Sequence, residues 1–144
     1  MFYRMIKYFI IIRLFHIAQQ YFIRLYWSDY VKENKLVELS TDFAVKIIKL
    51  CQSIKGHYSL TNQLERSATS IGANIREANY ARSKADFVAK LKISLQECNE
   101  TEYWLELIIK SELASEDIIK PLINQCGTIR RILIASVNTV LQNK

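Results

Sequence analysis

The sequence predicts an all-α protein: an antiparallel up-down-up-down four-helix bundle, preceded by an apolar segment that would form an extra N-terminal helix. Three observations predict it. The 144 residues include three glycines and one proline, too few breakers for a fold of many short strands. Four stretches carry apolar residues at three- and four-residue steps, the period of a helix with one buried face. Strand-like alternation never runs for more than a few residues, and no internal repeat or low-complexity stretch interrupts the pattern. The length suits one domain, expected over residues 31–144, with residues 1–30 as an apolar, basic extension.

That extension is unusual. Tyr8-Phe-Ile-Ile-Ile12 and Leu14-Phe-His-Ile-Ala18 make an apolar run, but Arg13 and His16 break it. A spanning helix needs about 20 mostly apolar residues, and an arginine near its middle is costly. Gln19-Gln-Tyr-Phe22 offers no small-residue cleavage site for a secretory signal. Three readings are open: an interfacial amphipathic helix, an extra helix packed on the bundle or on another subunit, or upstream sequence translated from a start codon chosen too early. The third is the expectation. Val31-Lys-Glu-Asn-Lys-Leu36 reads like the start of a compact helical domain, and a valine codon can serve as a bacterial start. A membrane is not expected as a partner.

The first bundle helix is expected from about Glu33 to Ile54. Leu36, Leu39, Phe43, Ile47, Leu50 and Ile54 mark its buried stripe, widened by Ala44, Ile48 and Cys51. Gly56 ends it as a left-handed cap. Ser59 is the expected N-cap of the second helix, which runs to about Tyr80–Arg82. Its apolar face is Leu60, Leu64, Ala68, Ile71, Ile75 and Ala78. Beside that face runs a polar stripe of Gln63, Arg66, Ser70, Asn74 and Glu77, able to donate and accept hydrogen bonds. Small residues crowd the middle of this helix, which implies close approach by neighbours on several sides.

Ser83 caps the third helix, with Asp86 three residues on as a capping-box variant. Phe87, Leu91, Ser94 or Leu95, Cys98, Thr101, Leu105 and Ile108 form its inner stripe. Lys84, Lys90 and Lys92 load its first half, and Glu97, Glu100, Glu102 and Glu106 its second. That order opposes the helix dipole, so other elements or another chain should compensate. Tyr103 and Trp104 are expected at a helix or subunit contact. Ser115 opens the last helix, whose stripe is Ile118, Leu122, Cys126, Ile129, Leu133, Val137 and Val140. Pro121 lies too far inside to be its first residue, so a separate short turn or a bend is expected there.

Chemistry has little to stand on. The two histidines, His16 and His57, fall in the extension and in a turn. No Glu-x-x-His pair follows the carboxylate cluster, so no metal site is expected. There is no Gly-rich phosphate loop, and no catalytic residue or cofactor is assigned. Cys51, Cys98 and Cys126 sit singly inside apolar stripes, as reduced core cysteines of a cytoplasmic protein do. Basic clustering is the better lead. The net charge is +6, and Arg4, Lys7, Arg13 and Arg24 against Asp29 place half of it in residues 1–30. In the bundle, Arg76, Arg82, Lys84, Lys90 and Lys92 flank the loop between the second and third helices, and Arg130 and Arg131 adjoin on the fourth. Such cations can contact phosphates with salt-sensitive, largely sequence-blind binding. An ordinary solvated surface is the alternative.

The polar stripe carries a resemblance. Leu60, Gln63, Arg66, Ser70, Ile71, Asn74, Ile75 and Glu77 occupy the places of a Leu-x-x-Gln-x-x-Arg-x-x-x-Ser-Ile-x-x-Asn-Ile-x-Glu-Gly run. This resembles the four-helix-bundle proteins encoded in intervening sequences of bacterial 23S rRNA genes. Ser94-Leu-Gln-Glu97 and Glu102-Tyr-Trp-Leu105 also resemble that family's third helix. The likeness covers about residues 33–142. It departs at Ala78 and Ile93, where the family favours glycine, which implies altered packing there. The resemblance implies a ring-shaped homopentamer with no catalytic residues. A related branch, the accessory protein of diversity-generating retroelements, binds a reverse transcriptase and nucleic acid. Two functions are therefore expected: an oligomeric, non-enzymatic binder of nucleic acid, structured RNA foremost, or an adaptor that docks on a partner enzyme such as a reverse transcriptase. In either, Gln63, Arg66, Ser70, Asn74 and Glu77 would bridge helices or neighbouring subunits.

Overall fold

The computed structural model describes residues 35–142 together with Arg13, Ile17 and Ala18. The chain divides into two units, Met1–Lys35 and Leu36–Lys144. In the first, Arg13, Ile17 and Ala18 are helical and exposed; the rest of the extension expected over residues 1–30 lies outside the described residues. Among the described residues, no helix is long and apolar enough to cross a membrane.

The second unit is the four-helix bundle that the periodicity predicts. Helix α1 is described over 35–53. Helix α2 is Tyr58–Ala78, α3 is Lys84–Lys110 and α4 is Glu116–Gln142. The short connections force consecutive helices antiparallel. Contacts close the ring. The Arg76 guanidinium on α2 donates to Thr41 Oγ1 on α1 (3.1 Å), and the Cys51 thiol on α1 donates to the Thr61 carbonyl on α2 (3.4 Å). Gln125 on α4 donates to Asp42 Oδ2 on α1 (2.8 Å). Two buried hydroxyls join α2 to α3: Ser94 Oγ donates to the Ile71 carbonyl (2.8 Å), and Thr101 Oγ1 lies 3.0 Å from Ser67 Oγ. At Gly72 α1 and α2 approach closely, since a Cβ there would sit 3.3 Å from Ser40 Oγ.

The core follows the helical stripes, with two shifts. On α3 Val88 is buried and Phe87 is only partly so. On α4 Ile119 is buried, whereas Ile118 is 56% exposed. At Pro121 the helix neither breaks nor starts afresh: Glu116–Gln142 is continuous through the proline. Ile118 and Ile119 both lie within one turn of Leu122, and it is Ile119 that packs inward. Val140, expected in the stripe, is partly buried.

The caps are uneven. Ser83 is extended (φ −152°, ψ 161°), and its hydroxyl accepts the Asp86 N–H. Asp86 Oδ2 in turn accepts the Arg82 N–H (3.2 Å), so the loop before α3 is pinned from both sides. Ser59 does not cap α2. The helix starts at Tyr58 with His57 at the N-cap and no side-chain cap bond. The Thr61 hydroxyl donates back to the His57 and Tyr58 carbonyls (3.2 and 3.3 Å), which draws Ser59 inside the first turn. Gly56 is left-handed (φ 81°) as expected.

At the far end of α3 the Leu113 N–H donates to the Ile108 carbonyl (3.1 Å) and the Glu112 N–H to the Ile109 carbonyl (3.0 Å). This pair of bonds is a Schellman motif, completed by Leu113 packing on the core. Its left-handed residue is Glu112 (φ 55°) rather than glycine. Glu112→Gly is expected to raise the unfolding free energy by about 0.5–1 kcal/mol, read as a higher urea midpoint at unchanged slope. No gain would mean that Glu112 makes a compensating contact.

Candidate nucleic-acid interface

The cations expected to meet phosphate separate into two sets. Arg76 lies in the last turn of α2, Arg82 in the loop, Lys84 at the start of α3, and Lys90 and Lys92 within its next two turns. Arg130 and Arg131 are on α4, which packs on α3 and on α1. The structure thus groups the loop residues at one end of the bundle and leaves the α4 pair on another helix.

Local pairing decides which charges remain available. Lys90 Nζ and Glu77 Oε2 form an ion pair at 2.5 Å, and the hydrogen bond to Glu77 holds the Lys90 ammonium above the usual lysine range. Arg130 Nε lies 3.4 Å from Glu102 Oε1, yet the atom is buried and makes no hydrogen bond, so the pair is close without being aligned. Arg131 reaches Thr128 of its own helix (3.0 Å). Arg82, Lys84, Lys92 and Arg131 are exposed. Among the described residues, Arg76, Arg82, Lys92 and Arg131 form no ion pair with a carboxylate.

The polar stripe of α2 lies along the α2–α3 seam. Arg66 Nη2 donates to Glu100 Oε1 (3.2 Å), and the same oxygen accepts the Trp104 indole N–H (3.2 Å). Asn74 Nδ2 donates to the Ser70 carbonyl and hydroxyl (2.9 and 3.2 Å). Glu77 holds Lys90 as above. Gln63 is half-buried at the foot of the stripe. Arg66 and Glu77 therefore bridge helices within one chain, and Ser70 and Asn74 satisfy each other along α2. The unfavourable charge order of α3 is answered here: Arg66 of α2 meets Glu100, and Arg130 of α4 approaches Glu102. Periodicity on one helix carried no sign of the partners Thr41 and Glu100, because they belong to other helices. Glu97 Oε2 is buried without a hydrogen-bond partner.

No group of three or more histidine, cysteine or acidic residues able to hold a metal occurs among the described residues. Cys51, Cys98 and Cys126 are buried free thiols. Burial pushes the Cys51 thiol up to about 11; the hydrogen bond with Cys98, and then burial, pushes Cys126 upward too. Since the thiolate is the reactive form, the folded protein at pH 8 is expected to react negligibly with a disulfide reagent within minutes. The unfolded protein should titrate three thiols. Rapid stoichiometric reaction of folded protein would show that these helices open readily.

With this geometry in view, the chain compares with known proteins as follows. Residues 32–135 match the family model described as 23S rRNA-intervening sequence protein. The chain is also similar to a protein with unknown function from the S23 ribosomal protein family of Bacteroides thetaiotaomicron, known from a crystal structure. The two are 42% identical with a TM-score of 0.70, and the match covers 74% of this chain and 98% of that one. None of the curated proteins matches it.

Proposed function

The chain belongs to the 23S rRNA-intervening sequence protein family, and from that premise we propose that it is a non-enzymatic, self-associating bundle that binds structured RNA through phosphate contacts. The contact surface is the α2–α3 end, with Arg76, Arg82, Lys84 and Lys92 as its cations and Lys90 held beside them by Glu77. One observation carries this reading: exposed cations, of which Arg76, Arg82 and Lys92 form no ion pair with a carboxylate among the described residues, gather around a loop pinned by the Ser83 and Asp86 hydrogen bonds. A pinned loop presents its charges without first losing chain entropy on binding. The Arg130–Arg131 pair is a secondary contact.

The test is binding to a labelled RNA hairpin across a salt series, with particle mass from light scattering in parallel. Affinity should fall linearly with salt on logarithmic axes, on a particle several chains in mass; the resemblance to the intervening-sequence family makes five the expected number. A discrete oligomer with no affinity at low salt would overturn the RNA reading and leave the adaptor reading. An exposed groove between α1 and α4 favours that second reading. Lys46, Lys49, Leu50, Ile118, Pro121 and Leu122 line it with apolar carbon under a basic rim, as a protein-docking surface would be lined.

Assembly has its own test. Asn74→Leu strands the Ser70 hydroxyl and Glu77→Ala strands Lys90. Each is expected to lower the oligomer fraction at a fixed chain concentration more than it lowers RNA affinity per assembled particle. Native mass and unchanged stability in both variants would remove the stripe from any role in assembly.

A further inference from the structure

At the opposite end of α2 from the basic loop lies a second cavity, about 360 Å³, bounded by Gly56, His57, Tyr58, Leu60, Gln63 and Trp104. Helix α2 is 21 residues long, so roughly 30 Å separates this cavity from Arg82. Its walls bring two aromatic rings together. Tyr58 is 76% exposed, so its ring is open to a ligand. Trp104 is partly buried against the core, and its indole N–H is already committed to Glu100. What the indole can still offer is its ring. Among the described residues Gln63 and His57 find no side-chain hydrogen-bond partner, so an amide and an imidazole are available for donating and accepting.

We propose that this cavity takes one unpaired nucleobase, stacked on aromatic rings and hydrogen-bonded at its edge by Gln63. The chemistry selects that ligand class. Planar heteroaromatic rings stack on tryptophan and tyrosine regardless of base identity, and unpaired RNA bases are recognised by stacking together with edge hydrogen bonds. The volume lies at the small end of the 300–1,000 Å³ or so typical of small-molecule sites, which suits a single base. Neighbouring groups do not compete: Arg66 and Trp104 are both tied to Glu100, and Lys55 turns to the Gln52 carbonyl. The inference deepens the RNA reading by adding a site for an unpaired residue to a surface for backbone phosphate.

The two readings can fail separately. The sequence holds two tryptophans, Trp27 and Trp104, so full-length Trp27→Phe protein makes Trp104 the fluorescent reporter. Adenosine, which carries no phosphate, should quench that emission saturably. A six-residue oligoadenylate should bind about five- to a hundredfold more tightly than an abasic chain of equal length and charge. Tyr58→Ala and Gln63→Leu should each erase most of that preference while leaving the salt slope for a hairpin unchanged. Adenosine quenching without hairpin affinity would keep the base site and overturn the phosphate surface. Hairpin binding with no adenosine quenching, or with equal affinity for the abasic chain, would overturn the base site alone. A preference that survives both substitutions would place the base elsewhere and overturn it too.

Discussion

Phe43→Ala is expected to lower the free energy of unfolding by about 3–5 kcal/mol. Phe43 is fully buried on α1, in the same cluster as Ile47, Leu64, Ile71, Ile129 and Leu133. Removing its ring withdraws apolar surface from the core and leaves a void that four helices, held at fixed spacing by one another, can fill only in part. Domains of this size are stable by only about 5–15 kcal/mol, so the variant should sit near the edge of folding. Urea denaturation at one chain concentration is the measurement, because self-association would otherwise shift the midpoint. A loss under about 1 kcal/mol would mean that α1 repacks freely, and that the bundle is a looser object than its buried residues imply.

The second large effect is on binding. Replacing Arg82, Lys84 and Lys92 together by alanine is expected to weaken hairpin binding at low salt by tenfold or more. It should flatten the logarithmic salt dependence by about two to three, near 0.7–0.9 for each lost phosphate contact. All three side chains are exposed, so stability should change by no more than about 0.5 kcal/mol each. The α3 cap survives, since the Ser83 hydroxyl and the Asp86 carboxylate make it. An unchanged slope would show that phosphate is met somewhere other than the α2–α3 end.

Much of this architecture was legible beforehand, and the reasons are local. A helix announces itself through spacing, so the spacing of Leu64, Ala68, Ile71 and Ile75 is enough to assign them to the core, where they lie. The Ser83 cap was legible too, because a hydroxyl and a carboxylate three residues apart form a unit confined to one turn. What escaped depends on more than one segment. Ser59 is a good cap by type, but the Thr61 hydroxyl starts α2 two residues earlier than that cap would. Ile118 and Ile119 are equivalent by composition and both lie within a turn of Leu122, and only packing against the neighbouring helices tells them apart. Glu112 in a left-handed cap runs against residue preference and left no trace in the pattern. The cavity at Tyr58 and Trp104 joins residues 46 positions apart in the chain, a separation no spacing rule spans. The clustering of the basic loop residues is visible in sequence because they are near in the chain; the pairing of Glu77 with Lys90 is not.

The hydroxyls between α2 and α3 have a consequence for how the chain reaches this arrangement. Apolar stripes tolerate sliding: two helices shifted by one turn, about 5.4 Å, still bury leucine against isoleucine. Ser94 against the Ile71 carbonyl and Thr101 against Ser67 do not tolerate it. In a slipped pairing Ser94 would lose its cross-helix acceptor, at a cost of about 1–3 kcal/mol if nothing replaced it, whereas Thr101 and Ser67 would lose each other but keep their bonds to the Glu97 and Leu64 carbonyls of their own helices. Competing alignments of the hairpin are thereby raised above the native one. The hydroxyls act as a vernier: they add little to the strength of the bundle and select one alignment from several of nearly equal grease.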